Sequence, residues 1–116
     1  MSRGDLVQLE VSIDSGLGER ARLGVVVLES DHTLEAEFRM LQFEGVVHYV
    51  SRIANEATIT PGTLTAMEER LPMAAALLPA ELELDAIGYG CTSAATLIGE
   101  AGIEAALNSA HPGVPC

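Results

Sequence analysis

Three observations predict an α/β fold in which a short parallel sheet carries helices on both faces. Apolar runs with little polar interruption recur at Leu23–Leu28, Val46–Ile53 and Leu84–Tyr89. Each is followed by a loop and then by a stretch with helical spacing. Near-continuous apolar strands, unlike alternating ones, are typical of a parallel sheet covered on both sides. The expected architecture is a three-layer sandwich, half of a flavodoxin-like or Rossmann-like domain. Right-handed crossovers gather the strand-to-helix loops Glu29–His32, Arg52–Gly62 and Gly90–Ser93 at one edge, where open α/β sheets bind their ligands.

Residues 1–22 read as an extension ahead of a single lobe spanning 23–116. Leu9, Val11 and Ile13 alternate with Gln8, Glu10 and Ser12, the pattern of an extended segment or an edge strand. Residues 1–5 carry no charged-then-apolar leader pattern. Gly16 to Ala21 spells Gly-x-Gly-x-x-Ala, but a dinucleotide fingerprint needs a strand before it and a helix directly after. The apolar run Leu23–Leu28 follows instead, so the string reads as a flexible loop.

The first strand leads through Glu29-Ser30-Asp31-His32 into a helix from Thr33, with Leu34, Phe38 and Leu41 at helical spacing. Pro61 and Thr63 resemble start signals for a second helix reaching about Leu78. Pro72 lacks an N–H and is expected to kink or split it. The third strand leads through Gly90-Cys91-Thr92 into one helix from about Ser93 to Ser109, closed by His111-Pro112-Gly113. Three strands are fewer than most doubly wound domains use. The expected context is a homodimer or a part of a longer chain.

Composition removes several function classes. The 116 residues suffice for one domain, and 48% hydrophobic content is that of a folded chain. No apolar run is long enough to cross a bilayer, and the default location is cytoplasmic. A formal charge of −11 repels phosphate backbones, so nucleic acid is not an expected partner. All six basic residues are arginine, which excludes a lysine Schiff base and a Walker A loop. His32, His48 and His111 are scattered and no metal motif is present, so no metal site is expected. His48 reads as a partly packed strand residue and His111 as a solvent-exposed one.

Cys91 stands where the third strand gives way to a helix. A helix start offers unpaired N–H groups and a partial positive charge, which favour a thiolate. The plainer alternative is a small buried residue closing a turn. Thr92 and Ser93 could donate to an anion or simply cap the helix. Arg52 reads slightly better as a solvated strand-end charge than as a carboxylate ligand. The crowded Glu29, Asp31, Glu35 and Glu37 read mostly as a solvated acidic face.

Taken in order, Leu23 to Phe38, Val47-His48-Tyr49-Val50-Ser51-Arg52-Ile53 and Gly88-Tyr89-Gly90-Cys91-Thr92-Ser93-Ala94 resemble the aspartate/glutamate racemase superfamily. The nearer branch is the maleate cis–trans isomerase and arylmalonate decarboxylase group. The resemblance runs from about Leu23 to Cys116 and corresponds to the first of the family's two lobes. It implies a cofactor-independent isomerase, racemase or decarboxylase acting on a small carboxylate or dicarboxylate. Cys91 matches the family's nucleophile or proton-transfer base, and Thr92 and Ser93 match donors to a substrate carboxylate. Asp31 stands where the family often has Asn, with Thr33 two residues on; aspartate lacks the amide donor. The family's second cysteine belongs to the other lobe, and Cys116 falls in the linker as a structural or incidental residue. The alternative to an enzyme is a catalytically silent lobe that serves as an association module.

Overall fold

The computed structural model describes Gly4 and residues 6–116. The reading of residues 1–5 as free of a leader pattern therefore lies, Gly4 apart, outside the described residues. Strand β1 (Ala21–Leu28) is followed by helix α1 (Leu34–Met40), strand β2 (Val46–Ile53) and helix α2 (Pro61–Ala76). Strand β3 (Ala86–Tyr89) and helices α3 (Thr92–Ile98) and α4 (Glu100–Ala110) complete the order. The sheet is parallel with strand order β2-β1-β3. This is the three-layer α/β arrangement that the apolar strands predict.

Side chains alternate across a strand, and here the alternation sorts two faces. Ser51, Ile53, Val26 and Ile87 point toward α2. The Ser51 hydroxyl donates to the Ala74 carbonyl at 2.6 Å. Val26, Ile53 and Ile87 form one cluster with Met67, Leu71, Ala74, Ala75, Ile103 and Leu107. The residues between them face α1: the His48 ring stacks on Phe38 with centroids 4.9 Å apart and planes 10° from parallel. Arg52 pairs with Glu35 on that same side. With aromatics scarce, close packing comes from Leu, Val, Ile and Ala, and a fully buried Leu71 is a position where truncation costs about 2–5 kcal/mol.

Several boundaries differ from the sequence reading. The segment Leu6–Ile13 joins no sheet, and Leu9, Val11 and Ile13 stand exposed. The glycine string is loop as expected, with Gly16 and Gly18 at φ 75° and 72°. Helix α1 stops at Met40, leaving Leu41 exposed as its C-cap. Strand β3 begins only at Ala86; Asp85 instead accepts the Arg22 N–H on its carboxylate at 2.8 Å. Pro72 does not split α2, which runs through it unbroken. Burial of Leu71, Ala74 and Ala75 around the proline holds the helix against the core, where packing overrides local propensity.

Two corrections concern the C-terminal third. His111 is buried rather than solvated, and its Nε2 lies 2.8 Å from the Ala75 carbonyl. A carbonyl only accepts, so Nε2 carries the proton and ties the end of α4 to α2. The single helix expected over Ser93–Ser109 is two helices, broken at Gly99, where φ is 86° and ψ 156°. That region is essentially reserved for glycine. An added Cβ at Gly99 would meet no atom within 4 Å, so only backbone strain opposes substitution. Gly99→Ala is therefore expected to cost about 1–3 kcal/mol, read as a lower urea midpoint with unchanged slope. An unchanged midpoint would show that the break tolerates a side chain.

Candidate active site

The carboxyl ends of the three strands meet at one rim, and the loops beyond them are bonded to one another. Asn55, just past β2, donates its backbone N–H to Glu29 Oε1 at 3.0 Å. Its side-chain oxygen accepts from the Ser30 backbone and hydroxyl at 3.3 and 3.1 Å. Gly90 donates to the Val26 carbonyl at 2.8 Å, carrying the β3 end against β1. At Gly90 a Cβ would stand 3.3 Å from both Leu34 Cδ1 and the Val26 carbonyl oxygen, so a small residue suits this turn. Helix α2 starts from a capping box in which Thr60 and Thr63 each bond the other's backbone N–H. Arg70 then reaches back to the Ala54 carbonyl at 3.2 Å and Glu56 at 2.7 Å.

These loops frame a cavity of about 520 Å³ on the α2 side of the rim. Cys91 and Ser93 line it together with Glu29, Asn55, Thr63 and Met67. Cys91 is half-buried and serves as the N-cap of α3 with extended backbone, φ −139° and ψ 95°. That extended geometry continues the strand alternation, so Tyr89 and Cys91 share the face toward α2. The Tyr89 hydroxyl donates to Met67 Sδ at 3.7 Å. Burial first, then the Cys91 thiol, push the Tyr89 phenol well above its ordinary value of 10.0.

The other residues singled out from sequence sit elsewhere. Thr92 is exposed in the first turn of α3, where its carbonyl accepts from the Thr96 hydroxyl at 2.8 Å. Asp31, Thr33 and Arg52 lie on the α1 side of the sheet and do not line the cavity. The Asp31 carboxylate accepts from the Thr33 and Leu34 N–H groups, both at 2.9 Å. Arg52 points its guanidinium at the same loop: it donates to the Leu28 and Asp31 carbonyls at 2.9 and 2.7 Å and binds Glu35. Its Nη1 and Nη2 groups hold the β1–α1 turn. The exposed Cys116 thiol is pushed above 9.0 by burial and then by Glu104, against a lowering bond from Asn108.

Asn55, Thr58, Thr63 and Met67 line the cavity without having been singled out by sequence as site residues; Thr63 reads there only as a helix start signal. Their only available signal was position: the first residues beyond an apolar strand, and the inward turn of the helix that follows. Among the described residues no group of three His, Cys, Asp or Glu is placed to hold a metal. No helix among them is long and apolar enough to cross a membrane.

No protein-family model and no curated protein sequence matches this chain. Two solved structures are similar to it: the maleate isomerase Iso from Pseudomonas putida, and a cysteine-to-alanine variant of that enzyme with maleate. Each gives a TM-score of 0.60 at 20% identity, covering 82% of this chain and 43% of the other. The likeness shows a maleate isomerase-like fold, and the chain spans less than half the length of these neighbours.

The two N–H bonds from Leu34 and Thr33, with Arg52 and His32 nearby, hold the Asp31 carboxyl below its ordinary value of 3.8. A lowered folded-state value means a stabilisation fully present above that pH and lost as the pH falls below it. Asp31→Ala is expected to lower the urea midpoint at neutral pH, with the gap to the parent protein closing below about pH 3.8. A gap that stays constant through that range would remove Asp31 as an ionised cap.

Proposed function

We propose that this chain is the cysteine-bearing lobe of a cofactor-independent isomerase, racemase or decarboxylase acting on a small carboxylate or dicarboxylate. The observation that carries the reading is the position of Cys91: at the carboxyl end of β3, inside the rim cavity, beside Ser93. The fold shared with maleate isomerase supports it. Such a reaction needs a base or nucleophile beside fixed donors for negative charge. Cys91 supplies the sulfur. The Ser93 hydroxyl, with the Asn55 amide across the cavity, supplies neutral donors.

The cavity is open at the rim, and 43% coverage of the neighbours fits a lobe that works against an opposing one, from a second copy or from further chain. Cytoplasmic location and the absence of a cofactor belong to the same reading. The second reading, a silent association module, draws on the two acidic side chains lining the cavity, Glu29 and Glu56, which oppose an anionic ligand.

Two measurements separate these readings. Iodoacetamide is expected to modify Cys91 ahead of Cys116 at mildly acidic to neutral pH, because Cys116 is held in its thiol form. Equal labelling of both would remove the activated-sulfur argument. Incubation with maleate, arylmalonates or aspartate in deuterated water is expected to give conversion or α-deuterium exchange that Cys91→Ala abolishes. Neither conversion nor exchange with any of them would leave the silent module.

A further inference from the structure

We infer that residues 6–13 form an edge strand in the sheet of a second copy, each copy of a dimer laying this arm along the partner's β2. The inference is independent of the reaction proposed above. Val7, Leu9, Val11 and Ile13 alternate with Gln8, Glu10 and Ser12, the period of a strand with one apolar face. Yet these four apolar residues are between 76% and 96% exposed, and the segment joins no strand of its own chain. A single exposed apolar residue needs no explanation. Four in strand register on an unpaired backbone make half of an interface.

The other half lies on the same chain. Parallel pairing turns every second β2 residue's backbone toward β1: Gly45 and Ile53 accept from Ala21 and Glu29 at 3.2 and 2.9 Å. The backbone groups of His48, Val50 and Arg52 point the other way, and among the described residues none of them has a hydrogen-bond partner. Free edges are ordinarily blunted by proline, lysine or a bulge, and β2 has none of these along its eight paired residues. The β3 edge is shorter and partly occupied, because Ile87 donates to the Pro115 carbonyl at 2.9 Å. Beside the β2 edge, on the α1 side, Phe38, Phe43, Val46 and His48 line a groove of about 510 Å³. Phe43 and Val50 are exposed there. An arm added to β2 with Val7, Leu9, Val11 and Ile13 toward α1 covers both and turns Gln8, Glu10 and Ser12 to the other face.

A strand added to a sheet edge gains main-chain hydrogen bonds from the ladder and specificity from alternate side chains. A standard interface takes about 20–30 residues a side, more than one eight-residue arm supplies. Reciprocal exchange puts an arm and a groove from each copy into one two-fold contact. Both apolar surfaces of both chains are then covered together, whereas a foreign strand in the groove would leave this chain's own arm bare. The arm's exit also favours the second copy. Val47 alternates with His48 and so faces α2; Gly18 is pressed against it, an added Cβ standing 2.5 Å from Val47 Cγ1. The arm therefore leaves the body on the face opposite its own groove.

The test is the mass of the full chain in solution, measured by analytical ultracentrifugation. The parent protein is expected to sediment as a dimer. Val11→Asp places a charge on the arm and Phe43→Asp places one in the groove. Each is expected to weaken self-association by roughly tenfold or more, since the contact would bury an unpaired charge. Both positions are exposed in the single chain, so the helical circular dichroism of each variant is expected to match the parent's. Mixing the two variants is expected to restore a mixed dimer, because the Phe43→Asp chain keeps its arm and the Val11→Asp chain keeps its groove. If Phe43→Asp fails to fold, Val50→Lys on the same edge carries the same expectations. A monomeric parent overturns the inference, including one whose arm folds back on its own β2. A dimer that the arm and groove variants leave intact overturns it, and so does a mixture that stays monomeric. None of these readouts involves Cys91 or a substrate, so the proposed reaction stands or falls separately.

Discussion

Strand β1 bonds to a neighbour on each side, and that single fact arranges the molecule. Its residues pair with β2 from Ala21 to Leu28 and with β3 from Leu23 to Val26. Both edges of its backbone are thereby satisfied inside the sheet, so Val26 and Val27 can be fully buried without leaving polar groups unpaired. Because both partners are parallel, all three strands end at the same rim. Register then decides which side chains meet there: Val26 stands opposite Ser51 on one side and Tyr89 on the other. Cys91 follows two residues later on the same face.

That alternation also separates two jobs. The α2 face carries the cavity, and the α1 face carries the ties that hold its frame. Arg52 is exposed, so its pairing with Glu35 adds little as a surface ion pair. Its consequence is geometric: one guanidinium gathers the Leu28 and Asp31 carbonyls, which the turn leaves without strand partners. Asp31 meets the first N–H groups of α1 from the other direction. Together they fix the path of the chain that presents Glu29 and Ser30 to the cavity on the opposite face.

The sheet, its parallel sense and the shared rim were legible because apolar runs and loop signals are local features of the chain. Cys91 was legible for the same reason: the break in the third run marks where a side chain emerges at the rim. Arg52 and Asp31 were not, since a strand-end charge looks alike whether it faces the ligand or the scaffold, and only the phase of the alternation tells them apart. His111 sits between Ala110 and Pro112 in a sequence context that reads as a terminus. Its burial depends on α4 packing across α2, a long-range contact with no local trace. The break at Gly99 shows the opposite difficulty. Its glycine was visible, but helical spacing on both sides concealed that the backbone leaves the helix there. Helix α2 keeps Pro72 because buried neighbours outweigh one missing N–H.

On the proposed reading, the charge arrangement also limits how an anionic substrate can sit. Of the two carboxylates at the cavity, Glu56 is paired with Arg70, while among the described residues Glu29 accepts only the Asn55 N–H through one oxygen. Unit charges about 4 Å apart interact by about 1 kcal/mol in water and by about 4 kcal/mol at the effective dielectric of a protein surface. In an open cavity the repulsion from Glu29 is therefore tolerable, and it grows as the rim is covered and water leaves. A substrate carboxylate is favoured at the Cys91 and Ser93 end, where the donors are neutral, and disfavoured toward Glu29. The same exclusion of water raises the cost of the Cys91 thiolate, so covering the rim makes the reaction depend more heavily on each fixed donor.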